Sequence, residues 1–405
     1  MRIAVINYSY GIGSTGRLAQ QIEENANPER YQFQFFCKKS NKNATNIHIL
    51  SNRFWFLLEG IHSRIMGKQG YGMRMATKQM IRYLDKWNPD VIHLHTMHGN
   101  YINFPMVMEY CASRNIPVLW NLHDCWAFTG NCGHYTAIGC DYWNANRECR
   151  NCPDIHNYPQ SYFFDCANEM YLDKKRLYEK QKNMKFIAVS DWLLEEAKKS
   201  DLLHNFSITS IYNWVDTNKF VPLSCDQVRK LKSNASSKYL LVSVASDWSL
   251  KKGLGRVVEL AKYYPENVHI ILIGQCHEKK LPKNISVIGK VSSQKEMAEY
   301  YSAADASLNL SIEETFGLTT AESLACGTPA IVLNTSACPE VVGDCGVVID
   351  TFTPEAVMKA IERIKQHPDQ YSVEHCRNRA LEMYSSKNIQ RYFKEYDEIY
   401  KEGVV

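Results

Sequence analysis

Glu314 and Glu322 are two carboxylates separated by seven residues in the stretch Ser311-Ile-Glu-Glu-Thr-Phe-Gly-Leu-Thr-Thr-Ala-Glu-Ser-Leu-Ala-Cys-Gly-Thr-Pro329. Glu314 ends a loop after an expected strand, and Glu322 falls inside the helix that follows. Gly317 marks the turn into that helix, whose first backbone N–H groups have no partner within it. Carboxylates accept hydroxyls, and free amides accept negative charge. The pattern therefore suits a ligand carrying both, and a sugar nucleotide is such a ligand. The spacing alone fits equally well a solvated helix with surface glutamates.

Three other groupings could do chemistry. Gly11-Ile-Gly13-Ser-Thr-Gly16, with Arg17 beside it, follows an expected strand and opens a helix, where amides can cradle phosphate. A dinucleotide site also needs an acid about 20 residues on. The next strand ends instead in Cys37-Lys38-Lys39, which would tolerate only the extra phosphate of NADP. The first glycine also trails its strand by Asn7–Tyr10, so the turn is not tight. A glycine loop facing an anionic ligand is the preferred reading over a dinucleotide site or a plain strand–helix turn. Cys132, Cys140, Cys149 and Cys152 fall within 21 residues of a loop, the last two as C-x-x-C. Four thiolates suit a tetrahedral structural zinc, with His134 a spare ligand and Cys125 a further one; the other reading is unligated thiols. Last, Arg53–Lys86 holds seven Lys or Arg against two acids, together with Phe54, Trp55, Phe56, Leu57, Leu58, Ile61, Ile65 and Met66. Such a helix can lie on an anionic membrane surface. A core-facing helix with a solvated basic side stays equally open.

The elements that must position these residues alternate regularly. Strands are expected at Arg2–Asn7, Tyr31–Cys37, Val91–His95, Val118–Leu122 and Phe186–Val189, with helices between them. The pattern restarts with strands at Tyr239–Ala245, Val268–Gly274, Ile285–Ile288, Ser307–Leu310 and Pro329–Leu333. Strand–helix alternation implies parallel βαβ units, here in two α/β halves. The polar stretch Asp216–Ser237 reads as the linker. A final helix at Asn388–Lys401 carries one apolar face that must dock.

Composition narrows the classes. A chain of 405 residues suits two domains. Hydrophobic residues at 45% and charged residues at 22% exclude wholesale disorder. A net charge of +4 gives no ground for a nucleic-acid partner. No apolar run reaches the ~18–20 residues that cross a bilayer, and the opening MRIAVIN is too short for a signal peptide. The expectation is a cytoplasmic protein whose fourteen cysteines are mostly buried thiols.

The Glu-x7-Glu stretch, with Phe-Gly after the first Glu and Ala-Cys-Gly-Thr-Pro after the second, resembles the family-4 retaining glycosyltransferases. So do Ile211-Tyr-Asn-Trp-Val-Asp216 with Phe220, Tyr301-Ser-Ala-Ala-Asp305, and Pro339-Glu340-Val341. The resemblance runs through most of the chain. It implies an α/β fold of two Rossmann-like domains facing a cleft, the GT-B arrangement. The acceptor domain would be residues 1–212 with a cysteine-rich insert at 125–153, and the nucleotide-sugar domain 213–385. The helix 386–405 would return to the first. By the same resemblance Glu322 would bind ribose hydroxyls, and Glu314 with the backbone of Phe316, Gly317 and Leu318 the donor sugar. Lys252 would contact the diphosphate and His123 would sit near the reacting carbon. The Gly11–Gly16 loop, with Gly13, would also approach the diphosphate. The family's Arg five residues before that lysine is Asp247 here, so Lys251 and Arg17 are the candidates for a second positive charge.

The implied reaction moves a hexose from a UDP- or GDP-sugar to a glycan or lipid-linked acceptor in cell-surface polysaccharide assembly. It would work in the cytoplasm or on the inner face of the cytoplasmic membrane. It would need cations aimed at the departing diphosphate more than a strong base, each worth ~3 kcal/mol. With no Asp-x-Asp at a strand end, no catalytic divalent metal is expected. The competing readings are an NADP-dependent oxidoreductase, and a zinc-containing nucleic-acid-binding protein.

Overall fold

The computed structural model describes residues 1–144, 147–224, 226–234, 238–291 and 293–404. They divide into two compact units, one of Met1–Ile211 with the C-terminal residues from Ile389, the other Tyr212–Asn388.

The first unit holds β1 (Arg2–Ile6), β2 (Ser9–Tyr10), β3 (Gln32–Cys37), β4 (Lys39–Ser40), β5 (Ile47–Ile49), β6 (Val91–Leu94), β7 (Val118–Leu122), β8 (Met184–Ala188) and β9 (Ser207–Ser210). Among the described residues seven of them form one parallel sheet in the order β5-β3-β1-β6-β7-β8-β9. Ile3 pairs with both Phe33 and Val91, so β1 lies where the strand order reverses. In open α/β sheets the loops beyond the carboxyl ends at such a reversal form the ligand crevice. Here those loops carry Gly11–Gly16, His95–His98 and His123–Asp124. The strands are continuous apolar runs because helices cover both faces. Buried polar exceptions are His93 in β6 and Asn121 in β7.

The second unit holds β10 (Tyr239–Asp247), β11 (Val268–Gln275), β12 (Ile285–Ile288), β13 (Ala306–Asn309), β14 (Ala330–Leu333) and β15 (Gly346–Ile349), all parallel, in the order β12-β11-β10-β13-β14-β15. Its core joins Leu241, Ile270, Leu272, Leu308 and Ile331 of the sheet to Val257, Leu260, Val357 and Ile361 of flanking helices. The order reverses at β10 and β13, so the loops after them, 248–253 and 310–317, come together.

Two expectations are corrected. The stretch Asp216–Ser237 is no free linker. Phe220 is buried, Arg377 donates to the carbonyls of Thr217 and Phe220, and Asp226–Asn234 is a helix. Sparse apolar residues hide this helix in the sequence, because Val228 alone supplies much of its buried contact. For the basic stretch, the core-facing reading holds in the helix Arg74–Trp87, which buries Thr77, Met80 and Leu84, and fails in the helix before it. In the helix Arg53–Met66 the buried residues are Gly60 and Ser63, while Phe54, Trp55, Leu57, Leu58 and Ile61 are exposed. Small residues face the protein and large apolar ones face solvent, the inverse of an ordinary surface helix.

The final helix, Ile389–Val404, belongs to the first unit and presents Ile389, Tyr392, Phe393, Tyr396 and Ile399 to it. Phe393 stacks on Tyr31 with centroids 5.0 Å apart, and Asn183 donates to the Ile399 carbonyl at 2.7 Å.

Candidate functional site

In the second unit the chain beyond β10 turns at Gly253, whose φ is 85°. A Cβ there would lie 2.6 Å from the Leu310 carbonyl, so the turn is pressed against the loop beyond β13. The Ile312 amide donates to the Lys251 carbonyl at 3.2 Å and ties the loops further. This close approach brings Lys252 to Glu314, its Nζ donating to Oε1 at 2.6 Å. Lys251 pairs in parallel with Glu313 at 3.1 Å.

Gly317 caps the helix Leu318–Ala325 at φ 89°, three residues after Glu314. The Phe316 ring is buried against Tyr384, 5.4 Å between centroids, so what Phe316 can offer a ligand is its backbone. Glu322 lies in the second turn and accepts from the Tyr301 hydroxyl at 3.2 Å. Burial, and after it Glu322, pushes the Tyr301 hydroxyl well above its ordinary range, so it stays a donor. Asp247, in the place of the expected arginine, is exposed and 3.7 Å from His277.

In the first unit Gly11 and Gly13 take φ of 68° and 70°, and the helix Gly13–Glu24 begins at once. A Cβ on Gly16 would lie 2.6 Å from the Ser9 hydroxyl, which is why the third glycine is needed. Arg17 is exposed on the first turns of that helix.

Beyond β7, His123 meets His95, Nε2 to Nδ1 at 2.8 Å with the rings nearly parallel. His93 packs on His95 and bonds the Tyr396 hydroxyl at 2.7 Å. Burial pushes His93 down to about 3, His123 to about 4, and His95 well below the ordinary imidazole value. All three rings are neutral at pH 7. Asp124 pairs with His98 instead, at 2.7 Å, and accepts the Trp126 amide at 2.9 Å. Burial would raise its carboxyl, but His98 and the amide hold it below the usual carboxylate value. His98 in turn bonds Tyr158 at 3.0 Å. Sequence reasoning singled out His123 and missed His93, His95 and His98. The signal for them is the run His93-Leu-His95-Thr-Met-His98 at a strand end.

None of the insert cysteines Cys132, Cys140, Cys149 and Cys152 forms a disulfide. Cys140, Cys149 and Cys152 lie within electrostatic reach of Cys132. No three of these sulfurs are gathered within 4.8 Å; among the described residues Asp344, Cys345 and His375 form the group that is. The His134 ring stacks on Trp192, 5.4 Å between centroids.

Comparison with known proteins adds the family. Residues 30–219 match the family model "Glycosyltransferase Family 4", and residues 227–383 match "Glycosyl transferases group 1". The chain is 27% identical over 225 residues to N-acetyl-alpha-D-glucosaminyl L-malate synthase of Bacillus anthracis, covering 53% of this chain and 58% of that one. It is 24% identical over 319 residues to alpha-monoglucosyldiacylglycerol synthase of Acholeplasma laidlawii, covering 74% and 73%. The crystal structure of Anabaena HepE with UDP-glucose superposes with a TM-score of 0.62 over 98% of each chain at 14% identity, a likeness of fold. That fold is GT-B, with two Rossmann-like domains.

Proposed function

Because the chain belongs to the family-4 glycosyltransferases, we propose that it moves a hexose, with retention, from a UDP- or GDP-sugar to a glycan or lipid-linked acceptor in cell-surface polysaccharide assembly. The observation that carries this reading is the Lys252–Glu314 contact at 2.6 Å, beside the helix start at Gly317. An ammonium group there meets the diphosphate, and a carboxylate beside it meets the sugar. Breaking the sugar–phosphate bond leaves negative charge on the departing diphosphate. Lys252 neutralises it, Glu314 and the amides at 316–318 hold the sugar's hydroxyls, and Glu322 takes the ribose. The neutral His123, held by His95, orients and polarises without acting as a nucleophile. Gly13 and Arg17 serve phosphate from the first unit. Retention follows same-face attack, in which the leaving phosphate helps take the acceptor proton.

The acceptor chemistry is supported by the helix Arg53–Met66. Its exposed Phe54, Trp55, Leu57 and Leu58 continue toward exposed Phe163 and Phe164, since the Tyr162 amide donates to the Arg64 carbonyl at 2.8 Å. Apolar patches of this extent on a soluble unit mark an interaction surface. With Arg53, Arg64 and Arg74 alongside, an anionic bilayer fits. No helix among the described residues is long and apolar enough to cross a membrane.

The test is a panel of UDP- and GDP-hexoses with lipid-linked and free saccharides, the product anomer read by NMR. Lys252→Ala should lower kcat/KM by about 10²–10³-fold, the loss typical for one transition-state charge donor. Stabilisation against heat by NADP and by neither UDP nor GDP would overturn the reading. Flotation with vesicles containing anionic lipid should be lost in Trp55→Ser. Retention of full binding by that variant would remove this helix from the membrane contact.

A further inference from the structure

We infer that Cys132, Cys140, Cys149 and Cys152 form a structural zinc site whose charge is balanced by the buried Lys174. The inference stands independently of the transfer reaction.

The Cys149 sulfur accepts a backbone N–H, Gly130 donating at 3.0 Å. The backbone at Tyr142 and Asp154 favours the thiolate forms of Cys140 and Cys152. A neutral thiol is a weak acceptor and gains little from such a donor. A metal-bound thiolate gains a charge-assisted bond and is oriented by it. The same loop packs Phe128, Tyr135 and Trp143 on one another, with the cysteines outside that cluster's ring contacts. Its backbone takes positive φ at Glu148, Cys149 and Asn151, conformations that need outside support.

The charge argument comes from Lys174. Its side chain is fully buried, its Nζ donates to the carbonyls of Trp126, Thr129 and Gly130, and it lies 3.6 Å from the Trp126 ring centroid. Among the described residues no carboxylate lies within ion-pair distance of it, and Asp124 acts on it only from further away. A buried ammonium held mainly by dipoles is expensive. Zn²⁺ with four thiolates carries a net charge of −2, and Gly130 links the two groups, its amide on Cys149 and its carbonyl on Lys174. Binding displaces four protons from the thiols to solvent, Zn²⁺ plus four Cys–SH giving Zn(S-Cys)₄²⁻ plus four H⁺. The ion would draw the sulfurs to roughly 3.8 Å from one another, as tetrahedral Zn–S bonds of ~2.3 Å require.

The gathered group Asp344, Cys345 and His375 is the rival, and its charges are already matched. Asp344 meets His375 at 3.0 Å and Arg379 at 3.8 Å. A cation there would sit beside a guanidinium.

The test is elemental analysis of the full chain from zinc-replete culture. About one zinc per chain is expected. It should fall at least tenfold in Cys149→Ser/Cys152→Ser and stay unchanged in His375→Ala. Should the double variant not fold, an organomercurial titration of the native protein decides, with zinc release complete at about four thiol equivalents. Lys174→Met should speed zinc loss to a chelating dye by on the order of tenfold, as expected for losing one charge-assisted contact. Native protein without zinc, iron in its place, metal retained by the double variant or metal lost with His375 would each overturn the site. An unchanged release rate in Lys174→Met would overturn the role of that lysine.

Discussion

The imidazoles at the end of β6 set how the first unit responds to acid. His93 and His95 are wholly buried and neutral, with His93 pushed down to about 3 from an ordinary 6.5. Between those values the unfolded chain binds a proton that the folded chain refuses. Stability is therefore full above pH 6.5 and drains away as the pH falls. Each ring contributes about 1.4 kcal/mol per pH unit, so the two together should remove about 4 kcal/mol between pH 7 and pH 5. Asp124, held below its ordinary value, adds loss in the same direction only at lower pH. Urea midpoints at the two pH values check this, and a flat profile would contradict it. At this scale the sequence was half legible. Lys252 and Glu314 could be singled out because their motifs are distinctive. The partnership between them, and the exclusion of the Phe316 ring from any ligand, depend on which loops the strand order brings together, and no spacing encodes that.

The central strands could be read almost residue for residue, since burial on both faces favours apolar runs: Val118–Leu122 matches its expected limits, as does the edge strand Ile285–Ile288. The strands Ile47–Ile49 and Ser207–Ser210 escaped notice because edge strands need little hydrophobicity, whereas Gly346–Ile349 is apolar but short and was overlooked. The helix between β7 and β8 starts only at Ala167, where Asp165 takes the first free amide at 3.0 Å. Turns matter as much as strands. Gly253→Ala combines a left-handed φ with a Cβ 2.6 Å from the Leu310 carbonyl. It should cost about 1–3 kcal/mol of stability in the second unit and weaken donor binding by shifting Lys252. Calorimetry and the donor KM check both. A neutral variant would mean that the loops are free to separate. Asn52 caps the outward-facing helix through the Trp55 amide at 3.0 Å. Asn52→Ala should cost about 1 kcal/mol, read as a lower unfolding midpoint with unchanged donor KM.

At the scale of the whole chain, the first unit is completed by a helix from the far end of the sequence. Ile389, Tyr392, Tyr396 and Ile399 are fully buried there, and Lys185 pairs with Glu395 beneath them. At about 1.5–3 kcal/mol per large buried side chain, their loss is on the order of 6–12 kcal/mol, comparable to the entire stability of a domain. A chain ending at Asn388 should therefore lose the first unit's melting transition and keep the second's. Two intact transitions in calorimetry would show that the helix is dispensable.

That return has a consequence for how the polypeptide is born. The ribosome emits β1 before the second unit, yet Tyr396 and Phe393, which cover His93 and Tyr31, emerge only after the entire second unit. The usual order of maturation, in which the leading domain settles while the trailing one is still being made, is inverted here. The middle of the chain can mature while the first unit waits, its aromatic floor uncovered, for the helix that begins at Ile389.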